Sequence, residues 1–124
     1  MHMKKILIVD DHEKVRILVR KTLSFGNYHI LEAGTGEDAV RISQAEHPEV
    51  IIMDIMMPGS IDGFAATRMI KQNPQTKDCY VLMLTAKGQE ADRQKGLESG
   101  ADDYFSKPFR PRDLIAKVDE ILAD

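Results

Sequence analysis

Val50-Ile51-Ile52-Met53-Asp54 is an unbroken apolar run closed by a carboxylate. Successive hydrophobic residues without polar alternation are what a central parallel strand, covered on both faces, requires. Other runs in the chain have the same shape. Ile6-Leu7-Ile8-Val9 leads into Asp10-Asp11, Val81-Leu82-Met83-Leu84 into Thr85, and Tyr104-Phe105-Ser106 into Lys107-Pro108. If these runs are parallel strands of one sheet, their polar endings collect at a single edge. That edge, outside the strand C-termini, is where open α/β sheets bind ligands.

The segments between the runs carry helical signals. Val15, Leu18, Val19, Thr22 and Leu23 recur at helical spacing, and Gly26-Asn27 stops that helix. A strand near Tyr28–Ala33 follows, and Gly34-Thr35-Gly36 turns the chain into a helix over Glu37–Glu46 with Ala39, Val40 and Ser43 inward. His47-Pro48 closes it, because the residue before proline is pushed out of the α region. Beyond Asp54, a helix near Gly63–Gln72 places Ala66, Met69 and Ile70 on the core and is broken by Asn73-Pro74. A strand over Tyr80–Thr85 precedes a helix near Gln89–Ser99 with little more than Ala91 and Leu97 as apolar anchors. A short strand, Asp103–Ser106, leads to a last helix that begins near Pro111. It buries Leu114, Ile115, Val118, Ile121 and Leu122. Strict alternation of strand and helix predicts a parallel sheet between two helix layers, joined by right-handed crossovers. The poorly anchored fourth helix is expected to be an element of low local stability.

The chain has 124 residues, enough for one domain with its own core. Seventeen basic against twenty acidic residues leave a formal charge of −3, and there is no basic stripe, so direct nucleic-acid binding by this domain is not expected. No apolar stretch is long enough to span a membrane, and without a charged leader followed by a long apolar core export is not expected. A single cysteine, Cys79, excludes an internal disulfide and fits a cytoplasmic location. It reads as a small residue at the start of a strand.

Asp10, Asp11 and Asp54 would bring carboxylates together at the ends of neighbouring strands, where their mutual repulsion calls for a counter-charge. A hard divalent cation answers that need, and Mg²⁺ combines a few carboxylates with water and phosphate oxygens. Lys107 adds a positive charge suited to a phosphoryl oxygen, and Thr85 a hydroxyl donor. No Gly-x-x-x-x-Gly-Lys loop is present to cradle a nucleotide triphosphate. Phosphoryl transfer onto an aspartate is the chemistry that remains.

Val9-Asp10-Asp11, Asp54-Ile55-Met56-Met57-Pro58, Asp62-Gly63, Leu84-Thr85-Ala86, Gly100-Ala101-Asp102-Asp103-Tyr104 and Lys107-Pro108-Phe109, in this order, resemble the receiver domain of two-component response regulators. The resemblance runs from Lys4 to about Leu122, and residues 4–122 are expected to form that domain. It implies a flavodoxin-like (βα)5 three-layer sandwich with a five-stranded parallel sheet of order 2-1-3-4-5, an order that a chemotaxis receiver exemplifies. It further implies that Asp54 accepts a phosphoryl group from a sensor histidine kinase or a histidine phosphotransfer protein. Asp10, Asp11, Asp54 and the backbone carbonyl of Met56 would hold Mg²⁺ or Mn²⁺. Thr85 and Tyr104 match the switch pair, Lys107 the phosphate-contacting lysine, and Lys107-Pro108 the family's cis peptide. Phosphorylation would alter the face formed by the fourth helix, fifth strand and fifth helix, which a downstream effector reads, and a homodimer on phosphorylation fits the same pattern. The protein is then a signalling phosphoacceptor that catalyses only its own phosphorylation and slow autodephosphorylation.

There are departures from the family pattern. Gly59-Ser60-Ile61 separates the loop proline from Asp62-Gly63 by one residue more than usual, which should spare the cation ligands but shift the start of the third helix. Met56 and Lys87 occupy the positions that flank the phosphoryl group, and neither can position water as a carboxylate or amide does. A slowly hydrolysing aspartyl-phosphate is expected. His12 reads as a solvated residue opening the first helix, since no second histidine is spaced to join it in a transition-metal site. A phosphatase with an aspartate nucleophile commonly needs an acid where Met56 stands. A flavin carrier of similar topology would need a phosphate loop after the first strand, and the chain has no Trp.

Overall fold

The computed structural model describes residues 3–86 and 90–123. Strands β1 (Lys4–Val9), β2 (Tyr28–Ala33), β3 (Val50–Asp54), β4 (Tyr80–Ala86) and β5 (Asp103–Lys107) alternate with helices α1 (Glu13–Leu23), α2 (Gly36–Glu46), α3 (Gly63–Gln72), α4 (Glu90–Ser99) and α5 (Pro111–Leu122). The strands form one parallel sheet of order β2-β1-β3-β4-β5. This is the flavodoxin-like arrangement that the sequence motifs imply.

Alternation along the strands divides the core in two, because successive side chains point to opposite faces. Ile6, Ile8, Ile52, Leu82 and Leu84 pack with Val19 and Leu23 of α1 and Leu114 and Val118 of α5. Leu7, Val9, Ile51, Met53, Val81 and Met83 face the other way, onto Ala39 and Val40 of α2 and Phe64, Ala66 and Ile70 of α3. Every residue of β3 is buried, as its unbroken apolar run requires. Side-chain caps fix two helix starts: Thr35 accepts from the Asp38 amide at 3.1 Å and Asp62 from the Ala65 amide at 2.9 Å.

Several expectations need correction. Leu18 and Met69 share the spacing of the core residues but are exposed, because each sits at the margin of its helix's apolar stripe. Ala91 and Leu97 do not anchor α4 either; its buried residues are Gly96 and Ser99. The helix rests on the sheet by close approach: a Cβ on Gly96 would lie 2.8 Å from the Met83 sulfur. His47 leaves the right-handed region, as a residue before proline should, but enters the left-handed one (φ 49°, ψ 59°). The third helix begins at Gly63, where the residue pattern puts it, and the longer loop before it is accommodated with Gly59 at φ 100°. Gln89, expected to open the fourth helix, lies outside the described residues.

Candidate functional site

The order β2-β1-β3 places the reversal of chain winding between β1 and β3, and the acidic residues lie at that switch point. Asp10 follows β1 and Asp54 ends β3, its immediate neighbour in the sheet. Both are deeply buried, at 1% and 5% exposure, while Asp11 is half-buried. Burying a carboxylate without partners costs several kcal/mol, so each oxygen must be accounted for. The Lys107 ammonium donates to Asp54 Oδ1 at 2.8 Å, and the His12 amide donates to Asp10 Oδ1 at 2.9 Å. Asp10 Oδ2 and Asp11 Oδ1 have no hydrogen-bond partner; among the described residues only Thr67 Oγ1 shares that condition. Asp10, Asp11 and His12 bring ligand atoms within 4.8 Å of one another, a group that does not include the Asp54 carboxylate; two buried, unpartnered carboxylate oxygens in it fit a hard divalent cation such as Mg²⁺ or Mn²⁺.

The acid of Asp54 is held above the usual carboxylate range. Burial is the main cause and the charge of Asp10 adds to it; the hydrogen bond and charge of Lys107 and the Ile55 amide pull the other way without cancelling them. The backbone around Asp54 is fixed by its neighbour in the next helix. The Gly63 amide donates to the Ile55 carbonyl at 2.9 Å, and a Cβ on Gly63 would lie 2.2 Å from the Asp54 carbonyl oxygen. Only glycine permits that approach.

Thr85 is buried near the end of β4, one residue beyond the partner of Asp54 in the strand register. Tyr104 on β5 is half-buried against the α2–α3 side of the core, and the Arg93 guanidinium of α4 lies 4.2 Å from its ring centroid. The Lys107-Pro108 peptide is cis. Met56 is 76% exposed at the rim while Met57 is buried. Lys87 lies outside the described residues. Phe109 packs against Phe105, with ring centroids 5.7 Å apart, as a structural residue. Cys79 is buried, and burial pushes its thiol up from the ordinary value.

Two further residues touch the acidic pair. His12 Nδ1 lies 3.1 Å from Asp10 Oδ1 and 3.1 Å from Asp11 Oδ1. The reading of His12 as merely solvated is incomplete, because its ring turns back over the acids. The signal in the sequence is the Asp-x-His spacing: Asp10 accepts from the amide two residues on, in an Asx turn, which brings the third residue's side chain close. Arg16 of α1 donates to the Asp10 carbonyl at 2.7 Å and to Glu32 Oε1 at 3.1 Å, and Arg20 pairs with the same glutamate. Their spacing along a helix gives no hint of that target, which depends on β2 lying beside β1.

The sequence profile of the response regulator receiver domain matches residues 6–119. This chain is a response regulator receiver domain. It is 42% identical over 119 residues to the alkaline phosphatase synthesis transcriptional regulatory protein PhoP of Bacillus subtilis, covering 96% of this chain and 48% of that protein. The receiver thus spans about half the length of such relatives. Among solved structures, the Vibrio cholerae chemotaxis protein CheY4 superposes with a TM-score of 0.89 at 32% identity, covering 98% of this chain and 100% of that one. The receiver domain of the Pseudomonas aeruginosa sensor histidine kinase PA1611, solved with magnesium in its active-site cleft, gives 0.89 at 27% identity, with 99% and 100% covered. Within the described residues of this receiver, no helix is long and apolar enough to cross a membrane.

Proposed function

We propose that Asp54 is the phosphoacceptor of this receiver and that Asp10 and Asp11 hold the divalent cation the transfer needs. The observation that carries this reading is the buried Asp54 carboxylate, paired with Lys107 at 2.8 Å and near enough to Asp10, which keeps an unpartnered oxygen, for that charge to act on it. Asp54 and the Met56 carbonyl would complete the protein ligands of a bound Mg²⁺ or Mn²⁺, which would supply positive charge for the oxygens of the transferring group. An Asp54 oxygen attacks the phosphorus of a phosphohistidine on a sensor kinase or histidine phosphotransfer protein. The O–P bond forms as the N–P bond breaks, and the imidazole leaves with its electron pair. Lys107 releases Asp54 Oδ1 and pairs with a phosphoryl oxygen, and the Thr85 hydroxyl donates to another. As Thr85 turns, Tyr104 follows inward, which requires Arg93 to move with it or to lose its stacking. The α4–β5–α5 face thereby presents two forms to a downstream effector or a second receiver, and phosphate on Asp54 selects between them.

Acetyl phosphate and Mg²⁺ should add one phosphoryl group to the wild type, located at Asp54 by mass spectrometry after borohydride reduction, and none to Asp54→Asn. Phosphate on another residue, or labelling that survives chelation, would overturn the assignment. With Met56 and Lys87 unable to position water, the acyl phosphate should be long-lived. The double variant Met56→Asn, Lys87→Glu should release phosphate faster, and an unchanged lifetime would remove that explanation.

A further inference from the structure

We propose that His12 Nδ1 is a further protein donor to the cation held by Asp10 and Asp11, so that this site selects nitrogen-accepting divalent cations such as Mn²⁺, Co²⁺ or Zn²⁺ over Mg²⁺. The inference rests on the reading of Asp10 and Asp11 as cation ligands and deepens it. The metal-ligating atoms of Asp10, Asp11 and His12 lie within 4.8 Å of one another. Donors at about 2.1 Å from an octahedral cation sit about 3 Å apart along the edges of the octahedron. His12 Nδ1 stands 3.1 Å from an oxygen of each acid, the separation of adjacent ligands in such a shell, and without a cation it is hydrogen-bonded to Asp10 Oδ1. Its contact with Asp11 Oδ1 is not a hydrogen bond, and the second Asp10 oxygen is likewise unpartnered although Asp10 is 1% exposed. Among the described residues no hydrogen bond satisfies these oxygens; a shared cation would.

Other features of His12 fit a ligand better than a helix residue. It is the N-cap of α1, a position where Ser, Thr, Asp or Asn accepts an orphan helix amide, yet its side chain makes no capping bond. Its ring instead turns back over the acids and is 70% exposed, so a cation reaches the site without the core opening. Carboxylate and carbonyl oxygens suit Mg²⁺ and Mn²⁺ alike, whereas an added imidazole nitrogen tips the site toward the transition-metal ions. The competing account is an imidazolium that merely ion-pairs with the two acids, and it assigns the ring no part in metal choice.

The discriminating measurement is pulsed electron paramagnetic resonance of the Mn²⁺-loaded chain, with calorimetric titrations of Mn²⁺ and Mg²⁺. Wild type should show the coupling of a directly bound nitrogen, and His12→Ala should lose it. Mn²⁺ affinity should fall at least about tenfold, a loss that even outer partners of metal ligands can cause, while Mg²⁺ affinity changes little. His12→Asn supplies a strong N-cap, so a purely structural role predicts that it keeps Mn²⁺ affinity; the proposal predicts the same loss as Ala. Tight Mg²⁺ binding and intact Asp54 labelling without a nitrogen signal would sink this inference alone. Failure of the wild type to bind either ion would sink the cation assignment of Asp10 and Asp11 as well.

Discussion

Asp54 is held where its own charge is disfavoured, by burial and by Asp10, with Lys107 as incomplete compensation. In metal-free protein, Asp54→Asn removes the repulsion and keeps a polar group of the same shape. It should therefore stabilise the fold while abolishing phosphorylation. The expected gain is a rise in melting temperature, read by thermal melts in chelator. A lower melting temperature would mean that the Lys107 pair outweighs the repulsion. Gly63 acts on the same residue through the backbone. The Cβ of Gly63→Ala must displace the Asp54 carbonyl, so overpacking should cost about 1–3 kcal/mol in urea denaturation. Asp54 labelling should slow in the variant even where it remains folded. The sequence makes Gly63 readable as part of a motif, but the contact it permits belongs to the packing of α3 on β3.

The elements divide by how their signals arise. Strands β1, β3 and β4 are legible because burial on both faces demands apolar residues in succession, and their polar ends mark the site. The seating of α4 is not legible in the same way, because Gly96 and Ser99 make contact by being small, and hydropathy registers no signal from them. Leu18 and Met69 show the opposite error, apolar residues at helical spacing that the sheet does not reach. The orientation of the His12 ring follows from the Asx turn at Asp10, which the Asp-x-His spacing signals only once the Asp10 side chain is known to accept from the amide two residues on. On the face that β5 shares with α5, Lys117 pairs with Asp103. Burial pushes the Asp103 acid upward, but the Lys117 hydrogen bond, the Tyr104 amide and the Lys117 charge outweigh it and leave the acid below its ordinary value of 3.8. The sign follows from linkage: a depressed acid stabilises the fold above its unfolded pKa, and the contribution is lost as pH falls through the folded value. Asp103→Asn should therefore lower stability at neutral pH, and the deficit should close on acidification below about 3.8. Equal deficits at pH 7 and in strong acid would show that the loss is one of packing, not charge.

At the scale of the molecule, the sheet separates two half-cores that answer to different parts of the site. The α1–α5 half, with Ile52, Leu82 and Leu114, backs the strands, and none of its core residues comes from α4. In the other half, Met83 lies beneath Gly96 of α4 and is the β4 partner of Tyr104 in the strand register. Truncating Leu114 or Met83 to alanine removes a fully buried side chain in either case, and each should cost about 2–5 kcal/mol of global stability. The local consequences should differ. Met83→Ala opens a cavity under a helix that has no large apolar anchor of its own, so the α4 amides should exchange with solvent faster than the global loss alone explains. Leu114→Ala leaves that seat intact, and its α4 exchange should change only through global unfolding. Hydrogen exchange read by mass spectrometry on both variants at matched global stability makes the comparison. Equal α4 protection in the two would show that the half-cores act as one cooperative unit. Selective loss in Met83→Ala would make the Met83–Gly96 contact the physical hinge through which the carboxyl edge of the sheet and the α4–β5–α5 face are linked.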